Sequence, residues 1–213
     1  MRPRRRKHQD RRMAACEGVR LNNPTEKKGA IRNLFPHPEQ PLHLEIGCGK
    51  GQFVTTLASQ HPEINYIAME REEIVGLVAM EKAVAAGLTN VLFLIDDAAL
   101  LSDIFEPGEI DRIYINFCDP WHKHRHYKRR LTYRQRLQTY LTLLSPEGEI
   151  HFKTDNEPLF RFSLGEFDFC MKRIFTTEDL HSSPLAKENI MTEYETFFSS
   201  KGMPIYSIHA VRK

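Results

Sequence analysis

The chain has 213 residues, 41% apolar and 27% charged, an ordinary balance with enough apolar material for the core of one large α/β domain. Its apolar runs are far shorter than a bilayer span, no apolar stretch follows the basic start as in a secretory leader, and its four cysteines form neither CxxC pair nor disulfide framework, so a cytoplasmic location is expected. The net charge of +2 hides an asymmetry: residues 2–12 hold seven Lys or Arg against one acid, residues 122–136 hold seven against none, and the remainder carries 16 cations against 27 acids.

Residues 1–40 are basic, then rich in Asn, Pro, Lys and Gly with little periodicity, and read as a mobile basic arm and an irregular lead-in. Two short basic blocks on an acidic body fit a polyanionic partner gripped at defined places. Taken alone, the N-terminal block reads equally well as a solvated tail. From residue 41 to 213 strand-like and helix-like segments alternate as one domain. Strands are expected at LHLEI (42–46), NYIAME (65–70), NVLFLI (90–95), DRIYINF (111–117) and GEIHFKT (148–154). Helices are expected over 51–60 and over 72–86, the second ended by Gly87. Leu137, Tyr140, Leu141 and Leu144 mark a third at helical spacing, stopped by Ser145-Pro146-Glu147-Gly148. Repeated βα alternation predicts an α/β fold with a doubly wound, mostly parallel sheet and helices on both faces. The late segments 173–177 and 205–211 close the sheet edge as a hairpin-like pair, which brings the strands to seven.

The stretch LEIGCGKGQF puts Gly47, Gly49 and Gly51 at a strand-to-helix turn, where a doubly wound sheet holds its ligand. Glu70 ends the next strand, 21 residues after Gly49, where an acid can take both ribose hydroxyls. A dinucleotide loop wants G-x-G-x-x-G, and Gln52 stands where its third glycine would fall. Glu45 on the entering strand and Asp97 at the end of the third strand would repel a pyrophosphate. S-adenosylmethionine has no phosphate; it brings a sulfonium, an ammonium and ribose donors. Glu45 alone reads as an ordinary strand-end acid, but three acids at consecutive strand ends beside a glycine loop favour this methyl donor.

In NFCDPWHKHRHYKRR (116–130) the fourth strand is expected to end at Asp119, across the crevice from the glycine loop. Pro120 stiffens the turn, and Trp121 offers a stacking face or a packing anchor. A flat heterocycle edge-on to the Asp119 carboxylate would fit there, with the cations from Lys123 to Arg136 holding the surrounding phosphates. The bland alternative is a turn before a solvated helix start. His122, His124 and His126 alternate as zinc ligands sometimes do, but their cationic neighbours would repel a metal, and none is expected. Thr192 to Glu195 spells a capping box, and Lys153-Thr154-Asp155-Asn156 a strand end followed by a helix cap.

Taken in order, EIGCGKGQF, INYIAME, the Asp97-Ala98 pair, NF-x-DPW-x-K-x-R-H-x-KRRLT, HFKTDN and NIMTEYE resemble the bacterial tRNA (guanine-N7)-methyltransferases over nearly the whole chain. The resemblance implies a Rossmann-like methyltransferase fold and S-adenosylmethionine as donor, leaving S-adenosylhomocysteine. It implies N7 of guanine 46, in the tRNA variable loop, as acceptor. Carried over residue by residue, Glu45, Gly47, Gly49, Gly51, Glu70, Asp97 and Asp119 look like the donor site, with Asp119 also the catalytic position. Lys123, Asp155, Thr192, Glu193, Tyr194 and Glu195 look like acceptor contacts. His124, Arg125, His126, Tyr127, Lys128 and Arg129 look like the RNA-gripping segment. Cys118 and His122 stand where many members carry other residues, which bears on fine positioning only.

Guanine N7 carries an in-plane lone pair and no proton, so no strong base is needed; alignment with the methyl and compensation of the developing positive charge are. Two other classes compete. A small-molecule methyltransferase leaves the basic blocks unexplained, and a non-catalytic RNA-binding domain leaves the acidic donor site unexplained. Monomer and homodimer are both compatible with the sequence.

Overall fold

Runs of apolar residues bounded by turns become parallel strands buried on both faces. In the computed structural model, which describes residues 8–213, β1 (Leu42–Ile46) is buried at every position. The cations at positions 2–7 and the side chain of His124 lie outside the described residues, and with them the contacts expected of both. The chain divides into two compact units, one ending at Glu106 and the other running from Pro107 to Lys213.

In the first unit, β1 pairs in parallel with β2 (Asn65–Glu70), and β2 with β3 (Val91–Ile95). Between the strands run α2 (Gln52–Gln60), which follows the glycine loop, and α3 (Glu73–Ala85). A short α4 (Leu101–Ile104) follows β3. Ahead of β1 stands α1 (Gln9–Ala15), followed by three 3-10 turns at Glu17–Val19, Pro24–Lys27 and Ile31–Leu34. The lead-in over residues 8–40 is irregular, as expected, but packed against the first unit. Met13, Cys16, Val19, Leu21, Ile31 and Phe35 are buried, and Arg12 clamps Glu81 of α3 through two hydrogen bonds of 2.6 Å. These apolar residues recur at no fixed period, so the sequence shows no helical or strand signal there.

In the second unit, β4 (Ile110–Asn116) pairs in parallel with β5 (Leu144–Thr154). Both β5 and β6 (Lys172–Thr177) pair antiparallel with β7 (Tyr206–Val211), which forms the expected hairpin-like edge. The helices are α5 (Arg134–Leu143), α6 (Glu157–Cys170) and α7 (Glu193–Ser199). The buried face of α5 is Leu137, Tyr140 and Leu143; Leu144 already belongs to β5. Ser145 to Gly148, expected to be a stop between elements, form an irregular excursion inside β5, because Ile110 pairs with Leu144 and Arg112 with Glu149. A bulge uses the same turn-prone residues as a loop.

Candidate active site

The glycine loop is built by its backbone. Gly47, Gly49 and Gly51 have φ of 82°, 58° and 81°, a region that residues with a Cβ enter at a cost. At Gly51 there is also no room: a Cβ would stand 2.6 Å from Cβ of Ala79 on α3. The N–H groups of Gly47 and Cys48 both donate to the carbonyl of Met69 at the end of β2. Glu70, the last residue of β2, accepts from Gly49 N–H at 3.0 Å with one oxygen and from Glu72 N–H at 3.0 Å with the other. Its carboxylate therefore shapes the loop, and lone-pair positions remain on both oxygens for a ligand.

Glu45 is 2% exposed on β1. The buried Cys48 thiol reports the local field: its pKa is pushed well above the usual value, first by burial and then by the charges of Glu45 and Glu70. Asp97 stands two residues beyond the end of β3 and caps the 3-10 turn Ala98–Leu100, accepting from Ala99 N–H at 2.8 Å. Among the sequence-predicted donor residues, the first unit thus gathers Glu45, Gly47, Gly49, Gly51 and Glu70 around one loop, with Asp97 beyond the neighbouring strand.

The second unit holds the other candidates. β4 stops at Asn116, three residues before Asp119, because Phe117 turns into the left-handed region with φ 51°. The expectation that the strand runs to Asp119 is corrected accordingly. Asp119 is exposed and closes its own turn by accepting from Trp121 N–H at 2.9 Å. Trp121 is left-handed as well, with φ 45°. Bulky side chains rarely adopt this conformation, and two of them bracketing one carboxylate mark stored strain of the kind found at functional sites. The Arg129 guanidinium lies 4.9 Å from the Trp121 ring centre, and His126 meets the same ring edge-on.

The seven cations of residues 122–136 divide by role. Arg134 makes a two-pronged pair with Glu166 of α6, at 3.0 and 2.8 Å. Arg130 donates to the carbonyl of Pro120 and lies over the Phe162 ring. Neither is an open phosphate contact. Lys123, Arg125, Lys128 and Arg129 are exposed around the 3-10 turn His124–Arg129, and among the described residues none has an acidic partner. Tyr127 of the same turn packs edge-on against Tyr133.

The acceptor candidates divide too. Asp155 follows the end of β5 and accepts from the Tyr194 hydroxyl at 3.2 Å. Tyr194 is 45% exposed, and its ring tilts against Phe117. Thr192 completes the capping box of α7 with Glu195, and Glu193 is exposed. Glu195, expected among the acceptor contacts, is fully buried and makes internal hydrogen bonds. Its carboxylate accepts from Lys153 Nζ at 2.6 Å, Asn189 Nδ2 at 2.6 Å and the Thr192 N–H at 3.3 Å, and bonds His181 Nε2 at 2.8 Å. Burial by itself would raise the carboxyl pKa; the Lys153 ammonium and these hydrogen bonds bring it below the usual value. Sequence reasoning singled out Glu195 but missed Lys153, whose one signal is a lysine set in a strand of buried residues.

A family model described as "Putative methyltransferase" matches residues 39–208. A tRNA (guanine-N(7)-)-methyltransferase of Lactococcus lactis subsp. cremoris (strain SK11) is 46% identical, the alignment covering 99% of this chain and 97% of the relative. The enzyme of that name from Clostridioides difficile (strain 630) is 47% identical over the full length of both. A solved SAM-dependent methyltransferase from Aquifex aeolicus matches with a TM-score of 0.56 at 15% identity, over 80% of this chain and 81% of its own, and supports the fold alone. The fold is the expected mostly parallel, seven-stranded Rossmann-like one. By near full-length identity to relatives of one name, the chain belongs to the tRNA (guanine-N7)-methyltransferase family.

Proposed function

We propose that the protein transfers a methyl group from S-adenosylmethionine to N7 of guanine 46 in the variable loop of tRNA. The single observation that carries the reading is the exposed Asp119 in a strained turn, followed at once by exposed cations with no acidic partner. A base reader next to a phosphate grip fits a structured RNA better than a small substrate.

The first unit's loop fits the donor. Nothing lies within 4 Å of where a Cβ would stand on Gly47 or Gly49, so a ligand has room against the backbone. The negative field of Glu45 and Glu70 suits a cation and opposes a phosphate. Glu45, Glu70 and Asp97 would hold the donor, with Gly47, Gly49 and Gly51 shaping its bed. When bound, the donor supplies an electrophilic methyl on a sulfonium. Asp119, with Asp155, would accept from the guanine N1–H and N2–H, orient the base and oppose the positive charge that grows on its imidazole ring. Lys123, Arg125, Lys128 and Arg129 would hold phosphates, with His126 and Tyr127 shaping their turn. Thr192, Glu193 and Tyr194 would border the acceptor.

The family model's reach over residues 39–208 supports a methyltransferase domain at 41–213 preceded by a basic arm at 1–40. Among the described residues no helix is long and apolar enough to cross a membrane, and we place the enzyme with its tRNA in the cytoplasm. The test is transfer of radiolabelled methyl from the donor to unmodified tRNA, followed by nucleoside digestion. Label in 7-methylguanosine, lost when guanine 46 is replaced, is expected. Label in another nucleoside, or in small molecules only, would overturn the reading.

A further inference from the structure

The buried ammonium of Lys153 is used by none of the roles above. It is 5% exposed near the end of β5, and each of its three N–H donors has a partner in one short segment. Nζ reaches Glu195 Oε2 at 2.6 Å, the Ile190 carbonyl at 2.7 Å and Asn189 Oδ1 at 2.9 Å. The same residue touches the Asp119 turn. Its carbonyl accepts from Phe117 N–H at 2.9 Å, the bond that holds the first left-handed residue, and its ammonium lies 5.9 Å from the Phe117 ring centre. Phe117 in turn packs on Tyr194, whose hydroxyl bonds Asp155, two residues along from Lys153.

We propose that Lys153 is a positioning residue for the acceptor, the shared anchor that holds the first turn of α7 in register with the turn carrying Asp119. The proposal rests on the reading of Asp119, Asp155, Thr192 and Tyr194 as the acceptor site. Lys153 near the end of β5 and Asp155 just beyond it grip two consecutive helix residues, 195 and 194. The Lys153–Glu195 grip is dry and many-bonded; the Asp155–Tyr194 grip is a single exposed hydrogen bond. The inner one acts as a pivot, and the outer one is free to exchange its phenol for the donors of a guanine. Without the Lys153 ammonium, the buried Glu195 carboxylate loses its charge partner, a strongly destabilising change that the chain relieves by moving the segment or by protonating the carboxyl.

The experiment compares wild type, Lys153→Met, and the double variant Lys153→Met with Glu195→Leu, which leaves no buried charge unpaired. Amide hydrogen exchange is followed across residues 189–199, and kcat and KM for tRNA are measured at saturating donor. We expect Lys153→Met to speed exchange in 189–199 at least tenfold while α6 stays protected, and to raise KM for tRNA at least tenfold. The double variant should regain part of the melting temperature, the capping-box bond being lost with Glu195, but not the KM. Return of both together would reduce Lys153 to a stability element and overturn the proposal, as would wild-type exchange in a folded Lys153→Met. The exchange arm needs no substrate. Failure of the wild type to label tRNA would therefore overturn the functional reading while leaving the pivot to be judged by exchange alone.

Discussion

Asp119 serves its own turn with one oxygen, accepting from Trp121 N–H, and this makes asparagine the informative replacement. Asp119→Asn retains an acceptor for that N–H, so the turn persists, while the charge is lost and an amide now presents donors to the guanine donors. Methyl transfer should fall about a hundredfold to a thousandfold, corresponding to roughly 3–4 kcal/mol of transition-state stabilisation. tRNA affinity should stay within a few fold, because the exposed cations Lys123, Arg125, Lys128 and Arg129 are untouched. Single-turnover assays at saturating donor and tRNA decide the matter. Near-normal turnover would move the catalytic role to Asp155, whose carboxylate already takes a hydrogen bond from a neighbouring side chain.

The loop between β1 and α2 depends on glycine for two separable reasons, and substitution separates them. Gly51→Ala meets both a φ of +81° and a Cβ 2.6 Å from that of Ala79, and should lower stability by about 2–4 kcal/mol. Gly47→Ala meets only the φ of +82°, since nothing stands within 4 Å of the added methyl, and should cost about half as much. Denaturant midpoints of the two variants measure the difference; equal losses would mean that the contact with α3 is relieved by movement. The elements around this loop were legible because their signals are local. β1 and β2 match the expected bounds residue for residue, each an apolar run closed by turn residues. The capping box at Thr192 was legible for the same reason, its partners lying three residues apart. Distant partners carry no such trace. Lys153 and Glu195 are separated by 42 positions, and Arg134 and Glu166 by 32. The sequence therefore counted Arg134 among the open cations and Glu195 among the acceptor contacts. The expected bounds of β3 and β4 end at 95 and 117 against 95 and 116 observed, but Asp97 and Asp119, read as strand-end residues, lie two and three residues beyond the strands; at Asp119 the reason is a left-handed Phe117, a conformation that residue type disfavours.

For the molecule as a whole, the partition of charge sets the behaviour toward RNA. With Arg134 and Arg130 bonded to other groups of the chain, five cations of the 122–136 block remain for phosphates: Lys123, Arg125, Lys128, Arg129 and Arg136. If each meets one phosphate, the plot of log affinity against log salt should have a slope of roughly −3.5 to −4.5 from this block. Replacing Lys123, Arg125, Lys128 and Arg129 by Gln should flatten it by about 3, measured by filter binding across a salt series. An unchanged slope would show that the segment does not touch phosphate. Arg134→Gln is the complementary control: it should leave the slope alone and loosen the junction of α5 and α6, where Glu166 would lose its partner. The same partition also acts when no RNA is present. Lys123, Arg125, Lys128 and Arg129, without acidic partners among the described residues, sit on a chain whose residues outside 122–136 carry 28 acids against 23 cations, and can find their counter-charge on a neighbouring copy. In dilute buffer weak self-attraction between copies is then expected, relieved by added salt or by any soluble polyanion, and light scattering across a salt series would measure it. Its solubility in a cell becomes tied to the abundance of the nucleic acid it serves.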